Sequence, residues 1–200
     1  MKAAQELPKA DETAKITIRM KHMQEETGET ATVILPAPEE EIDRAVTDHG
    51  AEDTLWRCTD CPIVGLADRI TEAGSLREAN TLALMLKGLT EKKLTLLNAL
   101  LEAKGYPPLR EAVNLIGRLG EYGLDPGIHS VEDAAKWEIR FLLGEPEAEK
   151  LIPHVNLTTY GQCVLQQYHM TLTSFGGLSP LADTEAFREE AKKTEGNTGS

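Results

Sequence analysis

The sequence predicts an α+β fold, in which strand-forming segments near both ends enclose a run of amphipathic helices. Three observations carry that expectation. Apolar and polar residues alternate with period two in Ile16-Thr17-Ile18-Arg19-Met20, the signature of a half-buried strand. Between Ser75 and Leu119, leucines and alanines recur at i, i+3, i+4 and i+7, which places them on one helical face. Beyond Pro153 the pattern shortens again into strand-like pieces broken by glycines. These changes of period divide the chain into a flexible lead-in (1–15), an N-terminal α/β subdomain (16–72), a central helical subdomain (73–120), a C-terminal α+β subdomain (121–182) and a flexible tail (183–200).

The first strand is followed by Thr30-Ala31-Thr32-Val33-Ile34-Leu35, with Glu26-Thr27-Gly28-Glu29 between them; the pair is expected to form a β-hairpin. Pro36 and Pro38 end the second strand, and Pro38 suits the first turn of a helix. Glu39, Glu40 and Glu41 then occupy a first turn, where carboxylates favour the helix dipole, and His49-Gly50 closes the helix. Thr54-Leu55-Trp56-Arg57-Cys58-Thr59 is read as a third strand.

Ser75 with Glu78 three residues later predicts a capping box, followed by Leu76, Ala79, Ala83 and Leu86 on one face and Gly88 as the stop. Thr90 caps a second helix with Leu94, Leu97 and Leu101 in a row, ended by Gly105. Leu96 and Leu100 lie beside that row and are expected to reach the surface, where they would support self-association. Pro107-Pro108 opens a third helix whose stripe is Leu109, Ala112, Val113, Ile116 and Leu119. Tyr122-Gly123-Leu124-Asp125-Pro126-Gly127 is turn chemistry throughout. Ser130 caps a fourth helix with Val131, Ala135, Ile139 and Leu142 as its buried row and Gly144 as its stop. Short strands are expected around Val164 and at Thr171-Leu172-Thr173, with breaks at Gly161 and Gly176-Gly177.

The chain has 200 residues, of which 40% are hydrophobic and only 4% aromatic, so aliphatic side chains must fill the core. Its longest apolar run, Leu82-Ala83-Leu84-Met85-Leu86, is far short of the roughly 20 residues of a membrane span. The N-terminal residues have no apolar signal region, which predicts a cytoplasmic protein with no membrane partner. Three cysteines fit a reducing compartment. Cys58-x-x-Cys61 is half of a zinc site, and Cys163 stands far from both; a structural zinc site needs four ligands, so the thiols are read as free.

Formal net charge is −12, and it is concentrated in two blocks. Residues 37–60 hold Glu39, Glu40, Glu41, Asp43, Asp48, Glu52, Asp53 and Asp60 against Arg44 and Arg57. Residues 121–149 hold Glu121, Asp125, Glu132, Asp133, Glu138, Glu145, Glu147 and Glu149 against Lys136 and Arg140. Each block has a balance of −6, while residues 61–120 carry +2. Such a field repels nucleic acid and attracts a basic groove. No phosphate loop is present, because Gly117-x-x-Gly120-x-x-Gly123 lacks the preceding strand and the lysine. Nor do His22, His49, His129, His154 and His169 show a paired metal-ligand spacing. The sequence therefore predicts binding without catalysis and without a cofactor.

Several pieces of the chain, in order, resemble the ArdA antirestriction proteins of conjugative elements and phages. They are Thr27-Gly28-Glu29-Thr30-Ala31-Thr32-Val33-Ile34-Leu35-Pro36, Ser75-Leu76-Arg77-Glu78-Ala79-Asn80, Asn114-Leu115, the stretch from Tyr122 to Asp133, and Tyr160-Gly161. The resemblance implies an elongated, three-part α+β protein, often a homodimer, that imitates DNA. It further implies that the sixteen carboxylates of the two blocks stand in for phosphates in the basic groove of a type I restriction-modification enzyme, with no cofactor and no reaction. Where relatives have a Tyr- and acid-rich segment, this chain reads Val155-Asn156-Leu157-Thr158-Thr159-Tyr160-Gly161-Gln162-Cys163, without a carboxylate. The alternatives are an inhibitor of another nucleic-acid enzyme such as a CRISPR nuclease, a regulatory protein of a mobile element that does not imitate DNA, and an enzyme of a kind the motifs do not reveal.

Overall fold

A computed structural model describes residues 15–22, 31–49, 54–70 and 75–181. The fold class is α+β: eight α-helices and two three-stranded antiparallel sheets among the described residues. They group into two compact units, one within residues 1–94 and 104–117, the other within 95–103 and 118–200. The helical middle expected over 73–120 is divided between the two, with 95–103 and 118–120 in the second. None of the described helices is long and apolar enough to cross a membrane.

In the first unit, strand β1 (Ile16–His22) lies between β2 (Ala31–Leu35) and β3 (Thr54–Asp60), both antiparallel to it. The hairpin register pairs Ile16 with Leu35 and Met20 with Ala31. Alternation does what period two demands: Ile16, Ile18 and Met20 are buried while Arg19 and Lys21 are exposed. Val33, Leu35 and Trp56 complete that buried face. The turn expected at Glu26–Glu29, and Gly50, lie outside the described residues.

Helix α1 (Glu39–His49) buries Ile42 and Ala45. Pro38 precedes the helix, and its carbonyl accepts the Glu41 and Ile42 amides. A single turn, α2 (Val64–Ala67), follows β3 and was not anticipated. There the Tyr106 ring comes so close to Gly65 that a Cβ would lie 2.2 Å from Cδ1. Helix α3 (Leu76–Leu86) buries the predicted row and also Leu82, and packs against α5 (Leu109–Gly117). The Ser75 capping box does not form. Its φ of −82° and ψ of −12° are already helical, whereas a capping side chain needs an extended backbone to reach forward, and Ser75 makes no side-chain cap bond. In α5 the buried face is Leu109, Ala112 and Leu115. Val113 and Ile116 are half-buried, so the helix is rotated relative to the expected stripe.

Helix α4 (Glu91–Ala103) is capped as expected, the Lys93 amide donating to Thr90 Oγ1 at 3.4 Å. Leu94, Leu97 and Leu101 are buried. So is Leu100, at 1% exposure, and Leu96 is half-buried. The expectation that these two reach the surface fails at Leu100 and holds only in part at Leu96, because apolar residues fill more than one stripe of this helix.

The second unit corrects several further expectations. Tyr122–Asp125 is a strand, β4, and the turn is confined to Asp125-Pro126-Gly127. Its partner is β6 (Gly176–Pro180), which lies between β4 and β5 (Thr171–Thr173). The pairing of Leu124 with Leu178 joins segments far apart in sequence, so local turn chemistry was outweighed by a distant partner. Gly176-Gly177 is likewise strand and not a break: a Cβ at Gly176 (φ +132°) would lie 2.2 Å from the Asp125 carbonyl oxygen.

Residues around Val164 form helix α8 (Leu157–Gln167) and not a strand. Asn156 caps it, accepting the Thr159 amide at 3.1 Å, and Gly161, Val164 and Tyr168 face inward at helical spacing. Gly161, read as a break, is where α6 (Val131–Leu143) approaches: a Cβ there would lie 2.0 Å from the Val131 carbonyl oxygen. Helix α6 buries Ala134, Ala135, Glu138 and Ile139, while Val131 is half-buried and Leu142 is 41% exposed. Gly144 (φ +75°) ends α6 as expected, and α7 (Glu145–Leu151), which was not anticipated, follows at once.

Candidate functional site

Carboxylates crowd the start of α1 because the first turn leaves amides unpaired and its dipole favours negative charge. Glu39, Glu40, Glu41, Asp43 and Asp48 are all exposed. Two of them are tied down. Arg77 on α3 bridges Glu39 at 3.1 Å and Asp43 through its other terminal nitrogen. Beside it, Asn80 Nδ2 donates to the Ala37 carbonyl at 3.1 Å and Asn80 Oδ1 accepts the Ala37 amide at 2.9 Å. Arg77 and Asn80 stand three residues apart, on one face of α3, and hold both the entry to α1 and its first turn. In the sequence these two residues stand within Ser75-Leu76-Arg77-Glu78-Ala79-Asn80 and carry no motif of their own. The signal was the i, i+3 spacing of two long polar side chains next to a buried row.

Glu40, Glu41 and Asp48 make no ion pair with another described residue. Counted along a helix, Glu40 and Arg44 lie on the side away from Ile42 and Ala45, while Glu41 and Asp48 flank that buried face. Asp60, at the end of β3, is exposed as well. Glu52 and Asp53 lie outside the described residues.

The second block is built differently. Arg118 grips both carboxylate oxygens of Glu121, with a closest approach of 2.7 Å, and holds its carboxyl below the ordinary range. Asp125 Oδ1 accepts the Gly127 amide at 2.9 Å and so shapes the turn. Ser130 Oγ accepts the Asp133 amide at 3.1 Å, and the Asp133 carboxylate accepts the His129 amide at 3.3 Å. The capping box absent at Ser75 is therefore present here. Hydrogen bonding from Ser130 foremost lowers the Asp133 pKa, and Thr158, at 2.7 Å, does the same for Glu132. Arg140 bridges Glu145 at 3.3 Å and Glu149 at 2.8 Å. Glu147 is exposed and makes no ion pair with another described residue.

Glu138 cannot serve as a surface carboxylate. It is 4% exposed and bonded to Tyr168 Oη at 2.8 Å, and burial pushes its pKa up. Its neighbours are the Trp137 and Tyr168 rings, which meet edge to face at 5.4 Å. The signal was the helical period: Glu138 falls between Ala134, Ala135 and Ile139 on the buried side of α6.

A shallow cavity of about 190 Å³ opens between Asp125, Asp133, Lys136, Trp137 and Arg140. Its two acids and two bases give it no single sign. Among the described residues, no group of three His, Cys, Asp or Glu side chains is placed to hold a metal ion. Cys58, Cys61 and Cys163 are free thiols, the first two half-buried and the third exposed. No family model matches the chain, and no curated protein matches it.

Proposed function

We propose that the protein is an antirestriction factor that imitates DNA and occupies the basic groove of a type I restriction-modification enzyme. One observation carries this reading. Helix α1 exposes five carboxylates, from Glu39 to Asp48, on a rod that rises about 1.5 Å per residue. That is about one carboxylate per 3 Å of axis, close to the one phosphate per ~3.4 Å along a single DNA strand. The net charge of −12 supports the same reading, since it would steer the chain toward a Lys- and Arg-lined groove. Acting by occupancy, the protein needs no cofactor and performs no reaction. As a homodimer it would present two such surfaces.

The test is competition. Purified protein should displace duplex DNA from a type I restriction-modification enzyme, and the inhibition should weaken as salt rises. Converting Glu39, Glu40, Glu41 and Asp43 together to amides should weaken inhibition strongly. The same change at Glu185, Glu189 and Glu190, outside the described residues, should not. Equal behaviour of the two sets would show that the charge only solvates the chain and would end the proposal. Inhibition of a CRISPR nuclease alone would keep the mechanism and change the target.

A further inference from the structure

We propose that the open face of the N-terminal sheet docks a short acidic segment of another protein, one with aliphatic side chains on either side of its carboxylates. The register puts the parts in place. Ile16, Ile18, Met20, Val33, Leu35 and Trp56 occupy the buried face, so the residues alternating with them point the other way. In the middle row of that other face, Arg19 stands between Thr32 and Arg57. In the next row Lys21 stands beside Leu55, and at the opposite corner Ile34 pairs with Thr17. Arg19, Lys21 and Arg57 are all exposed, and Ile34 and Leu55 are each 54% exposed.

This arrangement works against the fold. Like charges directly opposite one another on neighbouring strands are destabilising, and Arg19 faces Arg57. Neither arginine, nor Lys21, forms an ion pair with another described residue. The carboxylate on the described part of this face, Asp60, stands at its end, opposite Thr17. In a chain of net charge −12, a sheet face with three gathered cations is complementary to an acid supplied from outside. The spacing selects the occupant. Ile34 and Leu55 lie two strands and two rows apart, which is about 17 Å at ~4.8 Å between strands and ~3.4 Å per residue. Arg19 lies midway along that diagonal, and Arg57 and Lys21 flank its Leu55 end. An extended segment spans the same length in roughly five residues. Its central carboxylates would meet the guanidiniums, which grip such groups bidentately, and its aliphatic ends would cover Ile34 and Leu55. A nucleic-acid strand fits less well, because this face exposes no aromatic ring on which a base could stack. A long polyanion would also run on toward the acids that dominate the rest of the chain, whereas a short peptide is screened from charges beyond ~8 Å.

The test uses the full-length protein and a fluorescein-labelled peptide, Gly-Leu-Glu-Asp-Glu-Asp-Leu-Gly, followed by fluorescence anisotropy. Saturable binding is expected at low salt, fading as salt rises and absent when the peptide's acids are replaced by their amides. Arg19→Gln and Arg57→Gln should each weaken binding about tenfold, the worth of one charge-assisted pair, and Leu55→Ser should weaken it as well. Each arginine variant relieves the Arg19–Arg57 repulsion, so its midpoint in urea should hold or rise, and lost binding cannot then be lost folding. Lys92→Gln removes an equal charge from an exposed position on α4 and should bind like the parent. Absence of saturable binding at low salt would overturn the proposal, as would equal binding of the amide peptide or indifference to both arginine substitutions. Tighter binding of oligo-deoxythymidylate or of phosphatidylserine vesicles through the same arginines would overturn it too. So would self-association that Arg19→Gln abolishes, which would give the face to a second copy of the chain.

Discussion

The side chain of Asn80 satisfies both backbone groups of Ala37, donating to its carbonyl at 3.1 Å and accepting its amide at 2.9 Å. A side-chain amide is the one group that offers a donor and an acceptor in this planar arrangement. Asn80 thus imitates a neighbouring strand for a single residue, just where the chain leaves β2 for α1. Asn80→Ala leaves the half-buried Ala37 amide and carbonyl without that partner. It should lower stability by about 1–3 kcal/mol in urea unfolding. Asn80→Asp removes the donor and should do no better. A cost near zero for both would mean that water replaces the pair.

The Arg77 bridge makes a different prediction. Arg77, Glu39 and Asp43 are all more than half exposed, and such pairs are worth about 0–1 kcal/mol. Arg77→Gln should therefore leave the unfolding midpoint nearly unchanged while releasing two carboxylates on α1. If those carboxylates meet a basic groove, inhibition of the target should strengthen. Weaker inhibition at unchanged stability would place Arg77 itself at the interface.

Glu138 gives the pH dependence. Burial raises its folded-state pKa above the unfolded value, the reverse of the common carboxylate case. Its contribution is therefore fully present below the unfolded pKa and is lost as pH rises through the raised folded value. Glu138→Gln keeps the hydrogen bond to Tyr168 and removes the titration. It should flatten the fall in stability on the alkaline side of the ordinary carboxylate range. Asp133, lowered by Ser130 and His129, has the opposite sign: its contribution is lost on acidification, and Ser130→Ala should reduce that acid sensitivity. Urea unfolding across pH separates the two.

Gly161→Ala should be a costly addition of a single methyl group. Its Cβ would meet the Val131 carbonyl oxygen at 2.0 Å, and backbone cannot swing aside as a side chain can. Overpacking of this kind costs about 1–3 kcal/mol and sometimes more. Gly117→Ala, where nothing lies within 4 Å, is the matched control and should be neutral or slightly stabilising. Equal effects would mean that α6 and α8 separate readily.

The parts of this fold that follow from local period were legible in the sequence: the hairpin, β3, and helices α1, α3, α4, α5 and α6. What escaped depends on partners remote in the chain. Gly161 and Gly176-Gly177 read as breaks because glycine weakens isolated helices and strands, yet at Gly161 and Gly176 another segment's backbone comes too near for a side chain, and at Gly177 the Met170 and Ile128 side chains do. Tyr122–Asp125 read as a turn because its strand partner begins some fifty residues later. In the candidate site, composition located the acids on α1 but could not separate exposed Glu40 and Glu41 from buried Glu138. That distinction required the phase of α6, which the expected row of Val131, Ala135, Ile139 and Leu142 placed too far toward Leu142. Arg77 and Asn80 were in view as letters, and only the packing of α3 beside α1 gave them a task.

The order β4-β6-β5 has a consequence for synthesis of the chain. The middle strand, Gly176–Pro180, is the last of the three to leave the ribosome. Until it emerges, Tyr122–Asp125 and Thr171–Thr173 have no ladder to join, and their amides and carbonyls stay with water. A premature stop just before residue 176 would remove only a minor share of the length yet leave neither outer strand a neighbour. The N-terminal sheet, whose three strands all precede Cys61, would be untouched by the same lesion.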